Sequence, residues 1–280
     1  MLDIVAALRV KNEARWIEEV LNSISFCKKI YLLDDHSTDD TKKIAKRCGA
    51  TIYQSSFKTL DEARDKEYLL SIILSEQPQG TWVLMIDGDE VLMDNGEKLI
   101  EQSIRENPKN EAFSVRILYL WNSQNMVRVD GVYGRFVRPS IFKLGRSRLF
   151  RKTKNEGHLH CSSVPYDLLS RCIKCRVSYL HLGYMNREDR IKKWEYYNSI
   201  DPRDELEGYD KSHCERGSYP HIVQGDIEVV PANAVLKHGG PLKLVPIESL
   251  LSGNRKYRIH EFKDSDKTES VKTELTEAIL

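Results

Sequence analysis

Short apolar runs alternate with stretches of helical periodicity through roughly the first hundred residues. Ile4 to Leu8 is an apolar run of strand length, and Trp16, Ile17, Val20, Leu21 and Ile24 fall at helical spacing behind it. Lys29 to Leu33 predicts a second strand, ending on the polar stretch Asp34-Asp35-His36-Ser37-Thr38-Asp39-Asp40-Thr41. There Ser37 or Thr38 is placed to cap a helix running to Cys48. Gly49 stops that helix, and Thr51 to Tyr53 predicts a third strand. Leu60 to Ser75 reads as a helix closed by Gln77-Pro78-Gln79-Gly80. Trp82 to Ile86 is a continuous apolar strand running into Asp87-Gly88-Asp89-Glu90, and a helix from about Glu97 to Glu106 follows.

After Pro108 the pattern changes. Ala112 to Leu120, Met126 to Val132, Arg148 to Arg151 and Val177 to Leu182 predict strands without regular helices between them, and Arg187 to Ile200 a helix with Ile191, Trp194 and Tyr197 on one stripe. From Asp201 to about Gly225 breakers dominate and no element is assigned; Lys263 to Leu280 is polar and reads as a flexible tail. Alternating strands and helices predict an α/β fold, a central and mostly parallel sheet flanked by helices, with a C-terminal extension. The boundaries that follow are 1–110 and 111–200 for two halves of one domain, 201–262 for the extension and 263–280 for the tail.

Composition narrows the function. The chain has 280 residues, 43 Lys and Arg against 42 Asp and Glu, and a formal net charge of +1, which gives no electrostatic case for nucleic-acid binding. Its first residues reach charge too soon for a signal peptide and no run is long enough to cross a bilayer, so the expected location is cytoplasmic, with peripheral membrane association allowed. The six cysteines are thinly spread and read as free thiols. Cys172-Ile173-Lys174-Cys175, near Cys161, His158, His160 and His181, invites a zinc reading, but a single C-x2-C without a second pair supports it poorly.

Two acidic clusters carry the candidate chemistry. Asp87 and Asp89 flank Gly88 on a turn after a strand, where two carboxylates can face one hard cation. A divalent ion there neutralises charge building on a diphosphate leaving group. Asp34-Asp35 ends an earlier strand at the same edge of an open sheet, a place from which a carboxylate accepts hydrogen bonds from a base or ribose; an Asx-turn with helix cap is the simpler alternative.

Ala6-Ala7-Leu8-Arg9-Val10-Lys11-Asn12-Glu13, then Leu32 to Thr41, then Met85-Ile86-Asp87-Gly88-Asp89-Glu90, in this order and spacing, resemble a family 2 glycosyltransferase of the GT-A fold. Arg148-Leu149-Phe150-Arg151, His160 and His181-Leu182-Gly183-Tyr184 extend the likeness toward bacterial members that build lipopolysaccharide cores and surface glycans. The resemblance implies a nucleotide-sugar half over 1–110 and an acceptor-side half over 111–200. It implies that Leu8 and Glu13 line the nucleotide pocket with Gly88 beside them, that Asp34 or Asp35 contacts the base, and that Arg64 lies near the nucleotide and diphosphate. Asp87 would face the ribose and metal, Asp89 would ligate the metal, and His181 is a candidate third ligand or diphosphate contact. The implied cofactor is Mn2+ or Mg2+, a neutral imidazole suiting Mn2+ better. The favoured donor is a UDP-sugar, and the acceptor a hydroxyl on a glycan, lipid-linked or protein substrate.

Inverting transfer needs a base for the acceptor hydroxyl. Many relatives read His-Glu where this chain has His160-Cys161, which removes the expected carboxylate. Glu156 is the first candidate, then Asp130, with His158 or His160 as alternatives. Two rivals compete with the transferase: a haloacid-dehalogenase-type phosphatase using Asp87 as nucleophile and Asp89 as acid and base, and a non-catalytic nucleotide- or glycan-binding module on the same fold.

Overall fold

The computed structural model describes residues 2–146, 149–150, 161–200, 219–228, 230–234, 236 and 239–251. The N-terminal half alternates β1 (Ile4–Val10), α1 (Ile17–Ser23), β2 (Ile30–Asp34), α2 (Thr41–Arg47), β3 (Thr51–Gln54), α3 (Glu62–Glu76) and β4 (Trp82–Met85). Then come β5 (Glu90–Leu92), α4 (Gly96–Glu106), β6 (Ala112–Tyr119), β7 (Met126–Arg128), β8 (Val137–Lys143), β9 (Ile173–His181), α5 (Arg187–Ile200) and β10 (Leu244–Pro246). Eight strands form one sheet in the order β3-β2-β1-β4-β8-β6-β9-β5, and β10 pairs with β7 separately. The pairs β3-β2, β2-β1, β1-β4 and β6-β9 are parallel. Those of β8 with β4 and β6, and of β5 with β9, are antiparallel.

The continuous apolar runs have a physical cause. In β1, Ile4, Ala6, Leu8 and Val10 enter one core cluster while Val5 and Ala7 enter the other, so both faces are covered. The first face packs Ile17, Val20 and Leu21 of α1 and Ile100 and Ile104 of α4; the second packs Ala63, Leu69, Leu70 and Ile73 of α3. Each fully buried Leu or Ile there contributes about 1.5–3 kcal/mol. A third cluster, Trp121, Tyr133, Tyr184, Ile222, Val223 and Val230 among its members, joins the segment after residue 219 to the inward stripe Ile191, Trp194 and Tyr197 of α5.

The sheet must curl, and the chain shows why. β4 ends at Met85 and β5 begins at Glu90, yet β8, β6 and β9 lie between them in the sheet. Four strand spacings of about 4.8 Å span about 19 Å along a flat sheet, whereas five residue steps reach about 18 Å even when fully extended. The connection is not extended, because Glu90 N–H donates to Asp87 O within it. Curling brings β5 back toward β4, with the acidic turn as the connection between them.

Several expectations are corrected. Ser37 and Thr38 do not cap α2: Ser37 Oγ accepts from Asn12 N–H (3.0 Å) and Thr38 N–H donates to Asn12 Oδ1 (2.8 Å). The Met126–Val132 strand stops at Arg128, because the chain turns at Asp130, whose carbonyl accepts from Tyr133 N–H, and Gly131 takes φ +51°. β8 and β5 replace the strand expected at 148–151, of which Leu149 and Phe150 are not extended in a strand and Arg148 and Arg151 lie outside the described residues. The predicted tail 263–280 also lies outside them. No described helix is long and apolar enough to cross a membrane.

Candidate functional site

Because β1, β2 and β4 are parallel, their C-terminal ends share one rim. Val10 pairs with Asp34, Asp35 N–H donates to Val10 O, and Ile86 N–H donates to Ala7 O. The loop after β1 is stitched to the loop after β2 by Ser37 and Asn12 and by Glu13 N–H on Thr41 Oγ1 (2.8 Å). Asn12 and His36 both hold left-handed backbone, at φ +56° and +57°, a conformation that side-chain-bearing residues adopt at a cost. On the other side the acidic turn presses against the same loop: a Cβ at Gly88 would sit 2.8 Å from Glu13 Cγ and 2.9 Å from Val10 Cγ1. Glycine is what allows this approach.

Beneath the rim runs a chain of charges. Arg9 donates to Asp35 Oδ2 (2.6 Å) and to Asp65 Oδ2 (2.7 Å), and Arg64 donates to Asp65 Oδ1 (2.9 Å). Arg64 also lies 4.0 Å over the Phe57 ring and donates to Thr59 O. The two acids of the Asp34-Asp35 pair separate in role. Asp34 is fully buried and both its oxygens accept from Ser37 N–H, the local turn; Asp35 faces Arg9, with Lys11 Nζ 3.7 Å away.

In the acidic turn, Asp87 Oδ2 accepts from Arg138 Nη1 of β8 (2.6 Å), and Glu90 Oε2 pairs with the other arm of Arg138. Asp89 turns the opposite way: its Oδ2 pairs with Lys193 Nζ of α5 and lies 3.7 Å from His181 Nε2 at the end of β9. Leu182 N–H donates to Asp89 O (2.8 Å), anchoring the turn to the strand that carries His181. Gly183 leaves no room for a Cβ beside Asp89 and Lys193. Tyr119 and Tyr184 flank the His181 ring at 5.0 and 4.6 Å between centroids.

Burial sets the protonation states. It pushes the Glu90 carboxyl up to about 7, with Asp87 and Asp89 adding to the rise and Arg138 opposing it. It drives the His181 imidazole down to about 4 against the attraction of Asp89, so the ring is neutral at pH 7. For Asp89 burial disfavours the charge, but His181 and Lys193 outweigh it and hold the carboxyl below the usual range. Glu13 is raised by burial and by the nearby Asp89. Around the acidic turn, Glu90 Oε1 and His181 Nδ1 are buried without a hydrogen-bond partner among the described residues.

The structure thus brings Glu13, Asp35, Arg64, Asp87, Gly88, Asp89 and His181 to one rim, but not Leu8, whose side chain is fully buried in the core and cannot line an open pocket. The three expected metal ligands converge only in part. Asp89 and His181 approach one another while Asp87 goes to Arg138, and among the described residues no three His, Cys, Asp or Glu side chains meet as a metal cage. Asp130 is occupied elsewhere, both oxygens taking Arg128 at 2.9 Å. Glu156, His158 and His160 lie outside the described residues. The five described cysteines are free thiols; Cys175 contacts Ser103 Oγ and Cys172 contacts Leu168 O, and among the described residues no group of three His, Cys, Asp or Glu gathers around them as a zinc site would need.

Three further residues at or beside the site have no place in the sequence reading, Arg138, Lys193 and Lys66, and Glu90 appears there in the motif without a role of its own. The Lys66 Nζ is buried against Cys161 O, Ser162 O and Ser163 Oγ at 3.3–3.4 Å. Lys193 had a readable signal, since it stands one helical turn before Tyr197 and shares its inward side. Arg138 had none, because Pro139 beside it hides the strand.

The chain is 26% identical over 210 residues to an uncharacterized glycosyltransferase of Rickettsia felis, covering 73% of this chain and 70% of that one. It is 26% identical over 198 residues to one of Rickettsia typhi, covering 69% and 65%. Among solved structures it is similar to S. aureus TarS (TM-score 0.40, 16% identity, 79% of this chain and 69% of that one). It is also similar to glucosyl-3-phosphoglycerate synthase from Mycobacterium tuberculosis in complex with Mn2+, UDP and glucosyl-3-phosphoglycerate (TM-score 0.30, 22% identity, 41% and 43%). The model of Glycosyl transferase family 2 matches residues 7–170, which include Glu13, Asp35, the acidic turn and Arg138, and the chain belongs to that family.

Proposed function

We propose that this GT-A glycosyltransferase is metal-dependent, takes its sugar from a nucleoside-diphosphate donor with UDP favoured, and transfers it with inversion to an acceptor hydroxyl. One observation carries the reading: the turn after β4 that holds Asp87 and Asp89 packs against the loop after β1 that holds Glu13, beside Asp35 at the end of β2, so nucleotide-facing and diphosphate-facing acids share a single rim. Family membership also removes the phosphatase alternative, whose sole support was the same Asp87 and Asp89.

The donor set fits a divalent cation of the kind held by one or two protein groups together with substrate phosphate oxygens, rather than by an all-protein cage. Asp89 is a charged carboxylate and His181 a neutral imidazole 3.7 Å from it, the pair that would hold the ion. Bound there, the ion would neutralise the departing diphosphate. Asp87, 48% exposed, faces the ribose; Asp35 rather than Asp34 reads the base, since the Asp34 side chain is fully buried in its own turn. Arg138 orients Asp87 by gripping it against Glu90. Glu156 takes the acceptor proton, with His160 second; Asp130 ranks below both because Arg128 occupies it.

The test is a nucleotide-sugar panel read by diphosphate release with Mn2+ present. Turnover of one UDP-sugar that stops in EDTA and in Asp89→Asn is the expected result. Undiminished turnover in EDTA rules out the metal. Stable binding of UDP with no transfer or hydrolysis across the panel favours the non-catalytic module instead.

A further inference from the structure

Asp89 Oδ2 has two neighbours that compete for the same lone pairs. Lys193 Nζ is paired with it, and His181 Nε2 stands 3.7 Å from the same atom. The pair packs against the backbone of Gly183, where no Cβ fits, and the ammonium also lies 5.2 Å over the Tyr184 ring. A divalent cation shared by Asp89 and His181 has to approach an oxygen that already carries a positive charge.

The base of Lys193 is fixed, and its ammonium is carried on a flexible four-carbon stem. One turn earlier on α5, Arg190 is fully buried and bonded to Asp226, Asn122 Oδ1 and the carbonyls of Tyr184 and Met185, which clamps the helix. The Lys193 side chain is 24% exposed at the rim where Glu13 also lies. Rotation of a four-carbon stem therefore moves the ammonium without moving the helix.

Resting on the reading of Asp89 as a metal ligand, we infer that Lys193 is an exchangeable counter-ion: it competes with the divalent cation for Asp89 and carries its charge to the donor diphosphate when the cation takes its place. Its charge then opposes binding of the metal alone and favours binding of the nucleotide. Any link of this kind is reciprocal, so a diphosphate that draws the ammonium away makes Asp89 easier for the metal to claim.

The experiment uses the full chain and two probes read without turnover, Mn2+ alone and UDP in EDTA, each followed by calorimetry. In Lys193→Met, Mn2+ should bind roughly tenfold more tightly and UDP roughly tenfold more weakly. Lys193→Arg, which keeps the charge on a bulkier group, should not show the opposite shifts expected of Lys193→Met. Opposite signs in one variant are the signature, because a merely structural role weakens both ligands and lowers the melting temperature. Unchanged or weaker Mn2+ binding by Lys193→Met, while wild type binds Mn2+ and Asp89→Asn does not, overturns the Lys193 inference alone. Absence of Mn2+ binding in wild type and Lys193→Met, with UDP still bound, overturns the metal reading beneath it and this inference with it.

Discussion

Buried acid–arginine pairs in two regions of the molecule, the third core cluster and the rim, are built differently. In the third core cluster each buried arginine takes one aspartate with both oxygens: Arg128 with Asp130 at 2.9 and 2.9 Å, Arg190 with Asp226 at 2.5 and 2.7 Å. Their remaining donors end on carbonyls, Arg128 on His221 O and Arg190 on Tyr184 O, and both guanidiniums stack on Trp121. These pairs are closed. At the rim one arginine, Arg138, is shared by two acids that each give a single oxygen, and capacity is left over: Asp87 is half exposed and Glu90 Oε1 has no partner among the described residues. Equal chemistry therefore serves two ends, and the count of unspent acceptors separates a pair that holds the fold from one that can receive a ligand.

The sharpest way to break this comparison is Asp130→Asn. It leaves the Arg128 guanidinium buried with its charge uncompensated, and should cost about 3–5 kcal/mol of unfolding free energy, read as a lower urea midpoint, with turnover of the folded protein retained. Normal stability with turnover abolished would instead make Asp130 the base and erase the distinction. Asp89→Asn should do the reverse. Transfer falls on the order of 10³-fold, equivalent to about 4 kcal/mol, while the urea midpoint falls less than in Asp130→Asn, because the Lys193 side chain is 24% exposed whereas that of Arg128 is fully buried.

How much of this was legible in sequence follows from how local each feature is. β1, β2 and β4 read as continuous apolar runs because helices cover both faces, and the helix Arg187–Ile200 was placed by its stripe of Ile191, Trp194 and Tyr197. Asp87 and Asp89 were legible because a strand, a glycine and two acids lie within a few residues. Arg138, by contrast, meets Asp87 across 51 positions and Lys193 meets Asp89 across 104, through a curl that no local pattern encodes. β8 was hidden by Pro139, which sits where the register between β6 and β8 shifts, a place where a strand tolerates proline. Asp130 looked catalytic because an acid near a turn does not disclose its partner; only the fold shows Arg128 on both oxygens.

Gly88→Ala comes next in size. Its Cβ would meet Glu13 Cγ at 2.8 Å and Val10 Cγ1 at 2.9 Å, and Val10 is buried at the end of a core strand and cannot yield easily. The expected cost is about 1–3 kcal/mol of stability, with turnover lowered about tenfold because the carboxylates on either side are displaced together. A thermal melt and a steady-state assay on the same sample check both. Loss of turnover with an unchanged melt would show a turn looser than its contacts indicate.

The smallest effect is expected at Arg64→Ala, and it asks whether the charge chain beneath the rim behaves as the open or the closed kind. Arg64 donates twice to Asp65 and stacks on Phe57, yet Asp65 is also held by Arg9, so losing Arg64 does not leave the acid unpaired. Stability should therefore change by less than about 1 kcal/mol, as for other partly exposed pairs. UDP affinity should fall about fivefold through the lost positive charge near the diphosphate, measured by calorimetry in Mn2+. If stability instead drops by several kcal/mol and UDP affinity holds, the Arg9–Asp65–Arg64 chain is closed in the manner of Arg128 and Asp130, and the nucleotide is recognised by Asp35 and Lys11 without it.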